Sequence, residues 1–442
     1  MPERNRKGLL MLCYHYHPAV SGGVARSVRF ARHLAECGWR PIVLTTNRWG
    51  AVGVDGGEVV RVGELLRNRK AAPAQRARAS PAPDRRSGEG ARAGLRGLIV
   101  RFVEKWLLIP DKHIRWAAMA FFPALGELGR GRADVIYSTS PPASAHLLAL
   151  KLKWLTGKPW VMDLRDPWTL EPLGWYLRSK GARLSLEKGI ERLCMRNADA
   201  IVTSTPEAAA GYAEIYPRWK RKIHAIPNGY EADEFEEART SLSRSEALRG
   251  IDAETFVMSH LGTLCRHTDL PACPSGLLDA VRSLAREGAV SPRAFRMIFA
   301  GSMNQETERL IAAYGLDALV TMTGPVSHIE ALRIMLRSDL LFLYDPNSDA
   351  RYYVHGKLYE YLASGKRVLG VLPEGAARRL LESSGRAIAV TGDIEREIRP
   401  VLLEALSGSG ADATRAGFDI ARYEGSRLAT TLARVLDEVR HG

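Results

Sequence analysis

Cysteine is scarce. Cys13, Cys37, Cys194, Cys265 and Cys273 are scattered, with no CxxC pair and no His/Cys cluster. That excludes a disulfide framework and a structural zinc site, and it fits a reducing cytoplasm. Long hydrophobic runs are missing as well. No stretch approaches the roughly 18 apolar residues a membrane-spanning helix needs. The basic start, MPERNRKG, runs directly into the short apolar LLMLCY with no signal-peptide core. These absences predict a protein that is soluble or at most peripheral on a membrane. A dinucleotide fingerprint, GxGxxG, is absent. A P-loop fits at neither Lys357 nor Lys366, because Arg351 and Glu360 stand where its first glycine is required. No DxD pair of metal-ligating aspartates stands out. Acidic charge is in deficit, with 49 Asp and Glu against 63 Lys and Arg, a net +14. The excess is local: between Arg67 and Arg101 there are ten basic and two acidic residues. Zinc-finger, RRM and KH signatures are lacking, so this charge is not read as nucleic-acid binding.

What is present is a repeated grammar. The chain of 442 residues is too long for one ordinary core, and two domains is the natural expectation. Short apolar runs alternate with amphipathic segments, the pattern of an α/β fold with parallel sheets. LLMLCY, PIVLTT, DVIYSTS, PWVMDL, DAIVTST and IHAIPNGY read as strands of a first domain. FVMSHLG, RMIFAG, LVTMTG, DLLFLY, RVLGVL and AIAV read as strands of a second. The polar DEFEEARTSLSRSEALRG separates them, giving domains over 1–235 and 251–424. The segment 425–442 is an amphipathic helix, with Leu428, Leu432, Val435 and Val439 on one face, placed to cross back to the first domain.

About 50–110 reads as irregular. Residues 67–97 are rich in Ala, Pro, Arg and Gly, with almost nothing to bury, and are expected to be a disordered basic insertion. LRGLIVRFVEKWLL follows at helical spacing, flanked by Arg96, Arg101 and Lys105. The segment 67–105 suits docking on an anionic membrane surface. It equally suits a core helix with a solvated face.

Four constellations carry chemistry. HPAVSGGVARSVRF follows the first strand and opens a helix, so Gly22 and Gly23 expose amides and a helix dipole that favour a phosphate. A turn needing positive φ would explain the glycines as well. GKLYEYLASGK places Lys357 in a first helical turn, within reach of a phosphate there. Glu360 lies one turn on, able to accept from two ribose hydroxyls. An ordinary surface salt bridge has the same spacing. FVMSHLGTLCRHTD ends a strand at Gly262 and Thr263 and follows with Arg266, either a bidentate diphosphate clamp or a solvated loop arginine. PWVMDLRDPW crowds Asp163, Arg165 and Asp166 at the strand end where α/β sheets take ligands, although Asp166 before proline is also an ordinary turn residue.

Taken in order, SGGVARSVRFARHLAECGW, DVIYSTSPPASAHLLAL, PWVMDLRDPW, ADAIVTSTPE, IPNGYEADEF, HLGTL, FAGS and GKLYEYLASGKRVLG resemble the family-4 glycosyltransferases, nearest the bacterial polysaccharide and glycoconjugate branch. The resemblance implies a GT-B fold: two Rossmann-like doubly wound domains facing a central cleft, acceptor side first and nucleotide-sugar side second. It implies retaining, metal-independent transfer from a nucleotide-diphosphate sugar, without a cofactor, to a sugar or lipid-linked acceptor. Gly22, Gly23, Thr263, Arg266 and Lys357 then correspond to the donor diphosphate site, and Glu360 to the ribose site. Arg165 and Asp166 lie where many relatives carry a catalytic-site histidine and aspartate. Two positions depart from the pattern: Tyr352 stands where relatives often have a donor-sugar glutamate, and Thr268 where near relatives often have a second arginine. A nucleotide-sugar 2-epimerase of the same architecture and a non-catalytic scaffold are the alternatives.

Overall fold

The computed structural model describes residues 6–19, 22–50, 58–64, 108–170, 181–264, 274–345, 350–385, 387–390, 394–407 and 417–442. The chain forms two compact units, Met1–Asn228 with Gly425–Gly442, and Gly229–Glu424. The insertion 67–97, the adjoining apolar stripe to 107, and Arg266 with Thr268 lie outside the described residues.

The first unit is built on a seven-stranded sheet in the order β3-β2-β1-β4-β5-β6-β7. Its strands are β1 (Lys7–Leu12), β2 (Trp39–Thr46), β3 (Glu58–Val62), β4 (Val135–Ser140), β5 (Trp160–Leu164), β6 (Ala200–Thr203) and β7 (Ile223–Ala225), and every pairing is parallel. Helices on both faces explain why the strands are near-continuous apolar runs rather than alternating ones. Leu9 through Leu12 are all fully buried. The helices are α1 (Gly22–Leu34), α2 (Ile114–Gly129), α3 (Ser144–Thr156), α4 (Ala182–Asn197) and α5 (Pro206–Ile215). The start of α5 shows local dictation clearly: Thr205 accepts from the Ala208 amide and Pro206 takes the first position, where its missing N–H costs nothing.

Two elements of this unit fall in stretches the sequence left without strand or helix. β3 carries Glu58 and Arg61 and pairs only with β2, at the edge of the sheet, where charge is tolerated. α2 is apolar through most of its length and contains Pro123, so it lacks the two-faced contrast that marks a helix.

The second unit holds a six-stranded, wholly parallel sheet in the order β10-β9-β8-β11-β12-β13. Its strands are β8 (Phe256–Leu261), β9 (Phe295–Ala300), β10 (Val320–Gly324), β11 (Leu340–Tyr344), β12 (Arg367–Val371) and β13 (Ala387–Val390). Its helices are α6 (Ala232–Thr240), α7 (Ser275–Arg286), α8 (Gln305–Ala313), α9 (His328–Arg337), α10 (Gly356–Ala363), α11 (Ala376–Ser383) and α12 (Ile394–Leu406). The chain enters and leaves this unit side by side, with the Tyr230 amide donating to the Tyr423 carbonyl at 3.1 Å. The last helix, α13 (Gly425–His441), belongs to the first unit. Its Leu428, Leu432 and Val435 are buried in one cluster with Leu9, Met11 and Trp39, and Lys7 pairs with Asp437.

Both sheets reverse strand order at one place, about β1 in the first and β8 in the second. In open α/β sheets, ligands bind beyond the carboxyl ends of the strands at such a switch point.

Candidate functional site

In the second unit, β8 is followed by Gly262 at φ +92° and β9 by Gly301 at φ +153°. Only glycine accepts such backbones readily. A Cβ on Gly301 would fall 1.9 Å from the Gly262 carbonyl oxygen, so the two loops meet backbone to backbone. Thr263, the next residue, is half-buried on this turn. α10 begins after β11, the other neighbour of β8, and its second residue is Lys357. The Lys357 Nζ donates to the Leu261 carbonyl at 3.0 Å and lies 3.1 Å from His260 Nε2. The lysine therefore sits over the Gly262 turn at the switch point.

His260 is buried and its Nδ1 lies 2.9 Å from the Phe342 carbonyl, so Nδ1 carries the proton and Nε2 offers its lone pair to the ammonium. Burial, and then the Lys357 charge, hold the imidazole well below its ordinary pKa and keep it neutral. Glu360 projects one turn along α10, with Oε1 3.8 Å from His328 Nε2; the same ring nitrogen lies 3.0 Å from Glu234. Before α10, Asp345 accepts from the Tyr353 hydroxyl at 2.7 Å and lies 2.6 Å from His355 Nε2. Tyr352 lines a pocket of about 530 Å³ with Arg351, Glu374 and Arg379.

In the first unit, Gly22 and Gly23 open α1, the first helix after β1. The Arg165 guanidinium lies against that helix start: a Cβ on Gly23 would be 1.9 Å from Arg165 Nη1. Arg165 donates to Asp166 at 2.9 Å, and its backbone carbonyl accepts from Ser204 Oγ at 2.6 Å. A cation at a helix N-terminus works against the dipole, so this pairing favours an anion between them. The structure thus brings Gly23, Arg165 and Asp166 together, and Gly262, Thr263 and Lys357 together, with Glu360 one turn away.

Asp163, crowded with Arg165 in the sequence, turns the other way. It is fully buried and accepts from Arg26 (3.1 and 2.9 Å), Tyr137 (2.6 Å) and Thr139 (2.8 Å). Burial alone would raise its pKa; the Arg26 charge and these donors hold it below the usual carboxylate value. It is a structural anchor for α1, not a ligand group.

Sequence reading also missed a ring cluster at the end of β1. His15 lies 5.4 Å from Trp49 and 6.1 Å from His113, and the Tyr14 ring, tilted by 51°, lies 4.1 Å from His113 (centroid to centroid). Burial and the cations Arg165, Arg48 and Lys112 lower His15 to about 4; burial, His15, Lys112 and Arg48 lower His113 to about 3. The signal was visible in YHYH at the end of an apolar strand, as it was for His260 in HLG.

Residues 21–229 match the family described as glycosyl transferase 4-like domain. No curated protein matches the chain. Solved structures similar over its length include HepE of Anabaena in complex with UDP and glucose, at 15% identity, TM-score 0.57, covering 98% of this chain and 100% of that one. WaaG, a glycosyltransferase involved in lipopolysaccharide biosynthesis, is 14% identical at TM-score 0.56, with 98% of each chain covered. A putative UDP-N-acetylglucosamine 2-epimerase from Listeria monocytogenes is 10% identical at TM-score 0.59, covering 98% of this chain and 96% of that one. At such identities the likeness shows the fold, the GT-B pair of Rossmann-like domains. It bears out the fold read from the sequence, and residues 21–229 match a model of the kind of family that reading pointed to.

Proposed function

We propose that this protein moves a sugar from a nucleotide-diphosphate donor to an acceptor hydroxyl, with retention, in polysaccharide or glycoconjugate assembly, a reading supported by the match of residues 21–229 to the glycosyl transferase 4-like domain. The observation that carries the reading is the seat of Lys357, an ammonium held over the Gly262 turn at the switch point of the second sheet.

Breaking the sugar–diphosphate bond sends its electron pair to the leaving oxygen and leaves positive charge on the sugar. Stabilising that departing anion is the main task. Lys357 and Arg266 are assigned to the diphosphate, with Thr263 and the amides of Gly22 and Gly23, and Glu360 to the ribose hydroxyls. The acceptor oxygen bonds to the anomeric carbon on the face the diphosphate leaves, and a diphosphate oxygen takes its proton. Arg165 and Asp166 orient the acceptor or steady the oxocarbenium-like sugar. No metal or cofactor is assigned a part.

A 2-epimerase is the second reading, favoured by the epimerase from Listeria monocytogenes and by another, from Methanocaldococcus jannaschii, that share the fold. The two separate cleanly. A thermal-shift screen against UDP-, GDP-, ADP- and TDP-sugars identifies the donor, since a ligand binding only the folded state raises its stability. An epimerase then converts that donor without an acceptor, and a transferase does not. Lys357→Ala is expected to lower turnover at least about tenfold; transfer at the normal rate would refute the assignment.

A further inference from the structure

The connection that follows β11 works on both flanks of that strand. Toward β8 it delivers Lys357, whose ammonium reaches the Leu261 carbonyl. Toward β12 it meets the short connection 373–375 that leads into α11. The two connections are joined backbone to backbone. The Ala376 amide donates to the Arg351 carbonyl at 2.8 Å, and a Cβ on Gly375 would fall 2.9 Å from the Arg351 Cα. β11 and β12 pair in parallel up to Tyr344 and Val371, and the Asp345 amide donates to the Val371 carbonyl at 2.9 Å. Both connections therefore start at the carboxyl ends of adjacent strands, where α/β sheets take ligands. The β11 connection is braced near α10 as well, since Tyr353 and His355 both meet Asp345.

The pocket of about 530 Å³ is lined by both connections. Small-molecule sites span about 300–1,000 Å³. Each side supplies a guanidinium: Arg351 from the β11 connection, next to Tyr352, and Arg379 from the first turn of α11. The carboxylate in the lining, Glu374, pairs with Arg378 at 3.1 Å. Two guanidiniums brought to one pocket repel each other, and an anion between them relieves this. A guanidinium only donates, and its planar fork matches a carboxylate at two points. The hydroxyls of a neutral sugar both donate and accept, and they make no such demand.

We propose that this pocket selects the donor by charge, taking the carboxylate of a nucleotide-diphosphate uronic acid between Arg351 and Arg379. The inference rests on the donor reading above and adds the class of sugar to it. With the diphosphate at Lys357 and the ribose at Glu360, one turn further along α10, the sugar falls on the opposite side of the lysine, toward Arg351 and Tyr352.

The test is calorimetric titration of the full chain with pairs of donors that share one nucleoside diphosphate. Glucuronate, galacturonate and mannuronate derivatives are set against their neutral parents, with UDP, GDP, ADP and TDP as the nucleotides and as controls alone. At least one uronate is expected to bind about tenfold or more tighter than its parent, the worth of one charge-assisted hydrogen bond. Arg351→Gln with Arg379→Gln should bring that ratio close to one at an unchanged melting temperature. Neutral parents that bind as tightly in every pair would overturn the proposal and leave the donor reading standing. A ratio that survives the double substitution would overturn it too. So would a double variant that weakens the nucleoside diphosphates alone as much as the uronates, since the arginines would then hold the diphosphate. Binding of none of these nucleotides would sink the donor reading, and this inference with it.

Discussion

At the first sheet's switch point a glycine stands where a side chain arrives; at the second, where two backbones meet. A Cβ on Gly23 would collide with the tip of Arg165, which can swing away. A Cβ on Gly301 would collide with the Gly262 carbonyl, which moves only with the ends of β8 and β9. The two units also settle their charges differently. The first buries a guanidinium–carboxylate pair, Arg26 with Asp163, beneath the start of α1. The second seats Lys357 on a neutral imidazole and a carbonyl. Outer surfaces differ too: among the described residues, the second unit exposes only Met322 and Leu403 as large hydrophobics, whereas the first exposes the cluster on α2, α3 and α4. The same architecture thus places integrity and function in different residues in each half.

Substitutions can break this contrast. Asp163→Asn is expected to have the largest effect, because it leaves Arg26 buried without its counter-charge. The cost is about 3–5 kcal/mol, read by denaturant unfolding. A loss under about 1 kcal/mol would show that the Pro227 carbonyl and Asn228 Oδ1 suffice to hold Arg26.

Gly301→Ala should follow, at about 2 kcal/mol, from the clash together with the positive φ. An unchanged melting curve would mean that the β8 and β9 loops part freely.

Acid should erode stability through the histidines. His15 and His113 have folded pKa values below the ordinary 6.5, about 4 and about 3. Between pH 6.5 and about 4 the unfolded chain therefore binds protons the folded one refuses, so stability falls as pH falls across that window. His15→Gln should flatten this slope; a slope identical to wild type would place His15 in water rather than against Trp49.

Gly23→Ala should be the mildest for folding, within about 0.5 kcal/mol. Yet it displaces Arg165, and turnover should drop by about tenfold or more. Stability loss without loss of turnover would reverse the contrast drawn between Gly23 and Gly301.

Much of this was legible in the chain. Each of the twelve strands read from apolar runs lies within a residue or a few of an observed one, and runs such as LLML and LLFL allow little else when both faces of a sheet are covered. β3 and α2 escaped because their patterns carry no contrast, one charged at an edge and the other apolar on nearly every side. Gly22, Gly23, Lys357 and Glu360 were legible as candidates because helix starts after strands announce themselves locally. Their neighbours were not. Nothing near Gly23 in the sequence points to Arg165, and nothing near Lys357 points to His260.

Local order therefore determined the elements, their alternation and the candidate positions at helix starts, since propensity, caps and apolar period act over a few residues. Which of three nearby charges stays at the strand end and which is interred was settled by packing. Asp163 and Arg165 are two residues apart on β5 and its end, yet α1 buries the first against Arg26 and leaves the second at its own N-terminus. That division follows from burial: a charge taken out of water must find its partner, and the partners come from strands and helices distant in the chain.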